Sequence, residues 1–204
     1  MRHGMRHLFA VLLVGSSVST GSVVSSASDG VTAPASVSPA THRFASDSFA
    51  KGSRSWSAIS GVSYDESLGE IYFTQGMVRH YLADDVAIEY GGMVGYADMR
   101  RTPSGVLGGP ELGMSWHFAR SERWSMYLEG LVGAVLQQHP LAVNTLRFNF
   151  DLQPGGGATY RLDERTMLQG GFCWHHLSNA QVRGRAHNFG YDGPTLYLGL
   201  ERAF

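Results

Sequence analysis

Beyond residue 50 the chain alternates apolar and polar side chains with a period of two, the mark of strands whose faces meet different surroundings. Val86, Ile88, Tyr90, Gly92, Val94 and Tyr96 fall on one face, with Ala87, Glu89, Gly91, Met93 and Gly95 on the other. Leu112, Met114, Trp116 and Phe118 alternate with Glu111, Gly113, Ser115 and His117. The same pattern runs through 124–134, through 146–153, and through 196–204, where Arg202 alone intrudes on the apolar face. Weaker segments at 55–64 and 70–82, and a further one over 165–178, bring the predicted strands to eight.

The less apolar face carries Glu89, Glu111, Glu129, Arg147, Asp151, Glu201 and His117. In a soluble sandwich that face would be solvated; in a membrane barrel it lines the lumen while the apolar face meets lipid. The connections favour the barrel. Those at 83–85, 119–123 and 162–165 are short and polar, whereas 98–107, 137–144 and 180–193 are longer and hold Pro or Gly. Such alternation fits tight periplasmic turns and long external loops. Trp56, Tyr64, Tyr81, Tyr96, Trp116, Trp124 and Trp174 lie near strand ends, as interfacial girdles require, and the chain ends in Phe204 on an alternating strand. The expected fold is all-β, an eight-stranded antiparallel transmembrane β-barrel of the bacterial outer membrane. Its interior is just wide enough for side chains to fill, so no pore is expected, and luminal carboxylates should pair with Arg147, Arg161 or the luminal histidines. Gly155-Gly156-Gly157 lacks the lysine of a phosphate loop and reads as a bulge or a place of close packing.

Composition adds the compartment. The first seven residues are basic, Leu8 to Val14 is apolar, and Ser25-Ser26-Ala27 suits cleavage, so 1–27 reads as a signal peptide. Residues 28–48 are rich in Ser, Ala, Thr and Pro and read as a disordered lead-in to a single domain over 49–204. A formal net charge of −1 gives no cationic surface for nucleic acid, and the single cysteine, Cys173, excludes an internal disulfide.

The candidate chemistry lies at the end of the seventh predicted strand. There Leu168, Gly170, Phe172, Trp174, His176 and Ser178 share a face that is apolar until its last two members. Residues i and i+2 of a strand stand roughly 6.5–7 Å apart, within reach for an imidazole to take a serine proton. If the first strand rises from the periplasm, Ser178 lies at the external end, facing lipid. A titratable pair there is poorly placed for stability and well placed for a lipid substrate. The histidines are otherwise scattered, and His175 and His176 diverge across the sheet, so neither a metal nor a cofactor is expected.

His176-Leu177-Ser178-Asn179, followed by Asn188-Phe189-Gly190-Tyr191-Asp192 and a short last strand, resembles the lipid A 3-O-deacylases (PagL). The resemblance implies a serine esterase acting on the 3-O-linked acyl chain of lipid A. It makes Ser178 the nucleophile, His176 the general base, Asn188 an oxyanion donor and Asn179 a support for the turn. The family carries glutamate where this chain has Asp192, one methylene shorter. Arg183, Arg185 and His187 lie beside the motif and are read either as contacts to lipid A phosphates or as a solvated basic loop, and Trp174 and Phe172 are expected to bind substrate. The expected partners are lipopolysaccharide in the outer leaflet and the membrane itself, with a homodimer left open. Two other readings stand beside this one: a non-enzymatic adhesin or structural barrel, and a barrel hydrolase acting on phospholipid.

Overall fold

The computed structural model describes residues 48–182, 184, 187, 188 and 190–204. The expected signal peptide and nearly all of the expected lead-in lie outside these residues, as do Arg183 and Arg185. Eight strands follow in order: β1 (Arg54–Asp65), β2 (Gly69–Ala83), β3 (Val86–Met99), β4 (Gly105–Arg120), β5 (Trp124–Gln137), β6 (Phe148–Arg161), β7 (Thr166–Ser178) and β8 (Tyr191–Ala203). Each pairs antiparallel with its sequence neighbour, and β1 pairs with β8 from Ser55↔Ala203 to Ser63↔Thr195, closing the barrel. Closure leaves no sheet edge, which is the condition for a sheet to cross lipid with its backbone groups paired.

The faces follow the alternation. Val94, Leu112, Met114, Trp116, Leu128, Leu152, Phe172 and Leu198 are exposed on the outside, while Gln75, Arg79, Glu89, Glu111, Asp151, Gln169 and Glu201 are buried in the lumen. Two connections at one end, 138–147 and 179–190, are long; those at the other end, 84–85, 121–123 and 162–165, are tight. The β1–β2 connection at 66–68 breaks the alternation by being short at the long-loop end.

The luminal charges pair differently from expectation. The countercharge is Arg79: its guanidinium lies 3.0 Å from Glu89 and 3.7 Å from Glu129, bonds Glu201, and donates to Gln169 at 3.2 Å. Arg147 precedes β6 and donates instead to the Gln137 carbonyl at 2.8 Å. The histidine expectation fares better, since His175 lies 3.2 Å from Asp151. Tyr81, expected in an interfacial girdle, is fully buried: beside the register shift between Tyr81 and Ala83 its ring turns inward against Phe49 and His117.

Gly155, Gly156 and Gly157 lie inside β6 and serve close packing. A Cβ on Gly155 would come within 2.5 Å of the Cys173 side chain, and one on Gly157 within 2.6 Å of the Tyr127 hydroxyl. That hydroxyl bonds Tyr197 Oη at 2.8 Å across the lumen. The small residues leave room for large polar rings to fill the interior.

Candidate active site

Ser178 is the last residue of β7, at the long-loop end. His176 lies two residues earlier on the same outward face, its Nε2 3.0 Å from Ser178 Oγ. On β8, Asp192 pairs directly with His176 in the register, and its Oδ1 accepts from His176 Nδ1 at 2.7 Å. Directly opposed side chains on paired strands start with their Cβ atoms about 5 Å apart. A carboxylate as short as aspartate therefore reaches the ring. Because the carboxylate accepts at Nδ1, a neutral imidazole presents Nε2 as the acceptor facing the serine hydroxyl.

Sequence reasoning put Asp192 inside a connection over 180–193. It lies instead on β8, which begins at Tyr191. Tyr191 is fully buried, and a Cβ on Gly193 would come within 2.6 Å of Ser63 Oγ, so strand packing starts before the loop-like composition ends. The backbone N–H of Asp192 donates to Asp65 Oδ2 at 3.0 Å, and the other oxygen of Asp65 accepts from the Ser67 and Leu68 amides. Asp65 thereby ties the start of β8 to the β1–β2 turn at the long-loop end. Sequence reasoning missed it, and an Asp two residues before a Ser in a short connection was the available turn signal.

The site stands on the lipid-facing wall. The His176 and Asp192 side chains are 36% and 48% exposed. Toward β6, Ser178 pairs with Phe150 and His176 with Leu152; Phe150, Leu152, Phe172 and Trp174 are all exposed on the outer face. The indole Nε1 of Trp174 donates to Asp192 Oδ1 at 3.2 Å, a contact not expected from the sequence.

Asn179 is buried and organises the loop. Its Nδ2 donates to the His187 carbonyl at 2.6 Å, its Oδ1 accepts from the Gln181 amide at 3.0 Å, and its own amide donates to Asn188 Oδ1 at 3.0 Å. These bonds hold Ala180 and Gln181 at φ of 50° and 61°, a left-handed conformation that costs about 1–2 kcal/mol per non-glycine residue. With Asn188 Oδ1 engaged by Asn179, its amide NH2 is the end that can donate elsewhere. His187 Nδ1 donates to the Asn144 carbonyl at 2.9 Å, and both line a cleft of about 400 Å³ with Thr145 and Leu146, between the two long connections. The structure thus brings together His176, Ser178, Asp192, Asn179, Asn188 and Trp174, with Phe172 one strand period below Trp174.

A closed barrel with a polar interior, an apolar coat and a serine, histidine and aspartate on that coat defines an integral outer-membrane β-barrel with hydrolase-type groups at its lipid face. The family model "Lipid A 3-O-deacylase (PagL)" matches residues 69–201. The chain belongs to that family. Among solved structures it is similar to the outer membrane protein OprG from Pseudomonas aeruginosa, at 11% identity over 76% of this chain and 97% of that one, with a TM-score of 0.54. It is likewise similar to Neisserial surface protein A (NspA), at 13% identity over 76% and 98% of the two chains, with a TM-score of 0.53. These likenesses concern the fold. No curated protein sequence matches the chain.

Proposed function

We propose that the protein removes the 3-O-linked acyl chain of lipid A by serine-esterase chemistry, with Ser178, His176 and Asp192 as its catalytic residues. The observation that carries the reading is the continuous hydrogen-bonded line from Asp192 through His176 to Ser178, at 2.7 and 3.0 Å, on the wall that meets lipid. Ser178 Oγ attacks the ester carbonyl carbon as its proton passes to His176 Nε2. Asp192 holds the ring in the required tautomer and stabilises the imidazolium that forms. The tetrahedral oxyanion takes a hydrogen bond from the Asn188 amide, an effect worth roughly 2.7–4 kcal/mol for one donor. Collapse breaks the bond to the sugar oxygen, which receives the proton from His176. A water, activated by the same imidazole, then hydrolyses the acyl-enzyme to release the fatty acid and regenerate Ser178.

The acyl chain needs no deep pocket in this arrangement, because the leaflet holds it beside Phe150, Leu152, Phe172 and Trp174. Arg183 and Arg185, in the connection after Ser178, supply cations for the lipid A phosphates. The experiment is mass spectrometry of lipid A from cells expressing the wild type or Ser178→Ala. Loss of one ester-linked acyl chain with the wild type alone supports the reading. Unchanged lipid A with folded wild-type protein refutes it, and release of fatty acid from phospholipid instead would establish a phospholipid hydrolase.

A further inference from the structure

Two N–H donors converge on a single oxygen of Asp192. His176 Nδ1 approaches Oδ1 at 2.7 Å and Trp174 Nε1 at 3.2 Å. The register explains how both arrive. His176 is directly opposite Asp192, whereas Trp174 pairs with Pro194 and reaches Asp192 along the diagonal, a separation that long aromatic side chains span. The two donors share a face of β7, so their spacing is fixed by the strand itself. From the end of the neighbouring strand β1, the Asp65 carboxylate fixes the Asp192 backbone amide at 3.0 Å, which leaves the side-chain torsions as the remaining freedom of the carboxylate.

That freedom matters on this wall. The Asp192 side chain is 48% exposed, and a carboxylate with one donor could turn away from His176 toward polar headgroups or water. A second donor on the same oxygen selects the rotamer that faces the ring. We propose that Trp174 is a positioning residue: its indole N–H locks Asp192 Oδ1 against His176 Nδ1, so that the acid is preorganised before substrate arrives. Trp174 thus acts through Asp192, beyond any contact its ring makes with an acyl chain. The inference rests on the catalytic reading of Ser178, His176 and Asp192 given above.

Trp174→Phe keeps an aromatic ring in the lipid-facing wall and removes the donor. The expected result, with purified full-length protein and lipid A in detergent micelles, is a fall in kcat of about tenfold at little-changed KM, the loss of one charge-assisted bond converted to rate. In an Asp192→Ala background the same substitution should change kcat less than about twofold, because a residue acting through a partner loses its effect with the partner. Equal losses in both backgrounds, a rise in KM with kcat unchanged, or no effect in the wild-type background would overturn the proposal. A readout independent of turnover is the indole N–H proton signal in micelles. The chain has four tryptophans, so the signal missing from Trp174→Phe assigns Trp174. That signal should move upfield in Asp192→Ala; if it stays where it was, the hydrogen bond is absent and the proposal fails. Ser178→Ala separates the two ideas: activity surviving that change defeats the catalytic reading, whereas its abolition together with additive Trp174 and Asp192 effects defeats only the role of Trp174.

Discussion

Replacing Asp192 by Asn keeps the size and the cross-strand position of the side chain while deleting its charge. With His176 Nδ1 and Trp174 Nε1 both donating to Oδ1, an asparagine can present its own oxygen in the same place, so the imidazole tautomer and the 3.0 Å approach to Ser178 should survive. What disappears is the Coulombic stabilisation of the imidazolium formed when Ser178 attacks. For charge centres about 4 Å apart the interaction is about 1 kcal/mol in water and about 4 kcal/mol at the effective dielectric of a protein surface. The side chains are 36% and 48% exposed on a wall bordered by lipid, so the loss should fall toward the upper part of that range. At 1.36 kcal/mol per decade this is roughly a 10²–10³-fold fall in kcat. KM should change little, because the charge forms only on the way to the transition state. The assay is fatty-acid release from lipid A in detergent micelles, followed by mass spectrometry across a range of substrate concentrations. An Asp192→Asn enzyme within about threefold of wild-type kcat would refute the assignment of Asp192 as the acid.

Three further outcomes follow from the same geometry. Asn188→Ala should lower kcat by roughly 10²–10³-fold with KM little changed, the usual consequence of deleting one oxyanion donor; kinetics with less than a fivefold loss would remove Asn188 from that role. Arg79→Met leaves Glu89, Glu129 and Glu201 without their shared countercharge in the lumen and should lower the free energy of unfolding in urea, measured in lipid vesicles, by about 3–5 kcal/mol. A change under 1 kcal/mol there would mean that those carboxylates are held by other means. Gly171→Ala places a Cβ 2.4 Å from Tyr197 Oη and 2.6 Å from the Gly156 carbonyl, so the same unfolding assay should show about 1–3 kcal/mol of overpacking strain, and an unchanged midpoint would contradict the close packing described here.

The parts of the fold legible in the sequence are those where one face is purely apolar. β5 meets that condition, and β3, β7 and β8 come close to it, with His176 and Ser178 on β7 and Asp192 and Arg202 on β8 among the polar exceptions, so their alternation assigns the outward residues directly. In β1 and β2 the lumen also takes apolar side chains, Ile59, Ile71, Phe73 and Met77, so the two faces look alike and Arg79 could not be assigned to the interior. The beginning of β4 was hidden for another reason. Gly108-Gly109-Pro110 has the composition of a loop, yet it lies in the strand because the neighbouring chain passes so close that a Cβ on Gly109 would meet the Ala134 carbonyl at 1.8 Å. In the candidate site, His176 and Ser178 share a strand, so the period of two relates them without any tertiary information. Asp192, Trp174 and Asp65 meet through the pairing of β8 with β7 and its approach to the β1 turn, and such registers depend on barrel closure rather than on any local pattern.

The measurement that bears most directly on the account is the lipid A profile of outer membranes from cells making the wild-type barrel or Ser178→Ala at equal, folded abundance. The account predicts that the wild type yields lipid A lighter by one ester-linked acyl chain, with the matching free fatty acid released, and that Ser178→Ala leaves lipid A intact. Intact lipid A with the wild type, or deacylation that persists in Ser178→Ala, would contradict it.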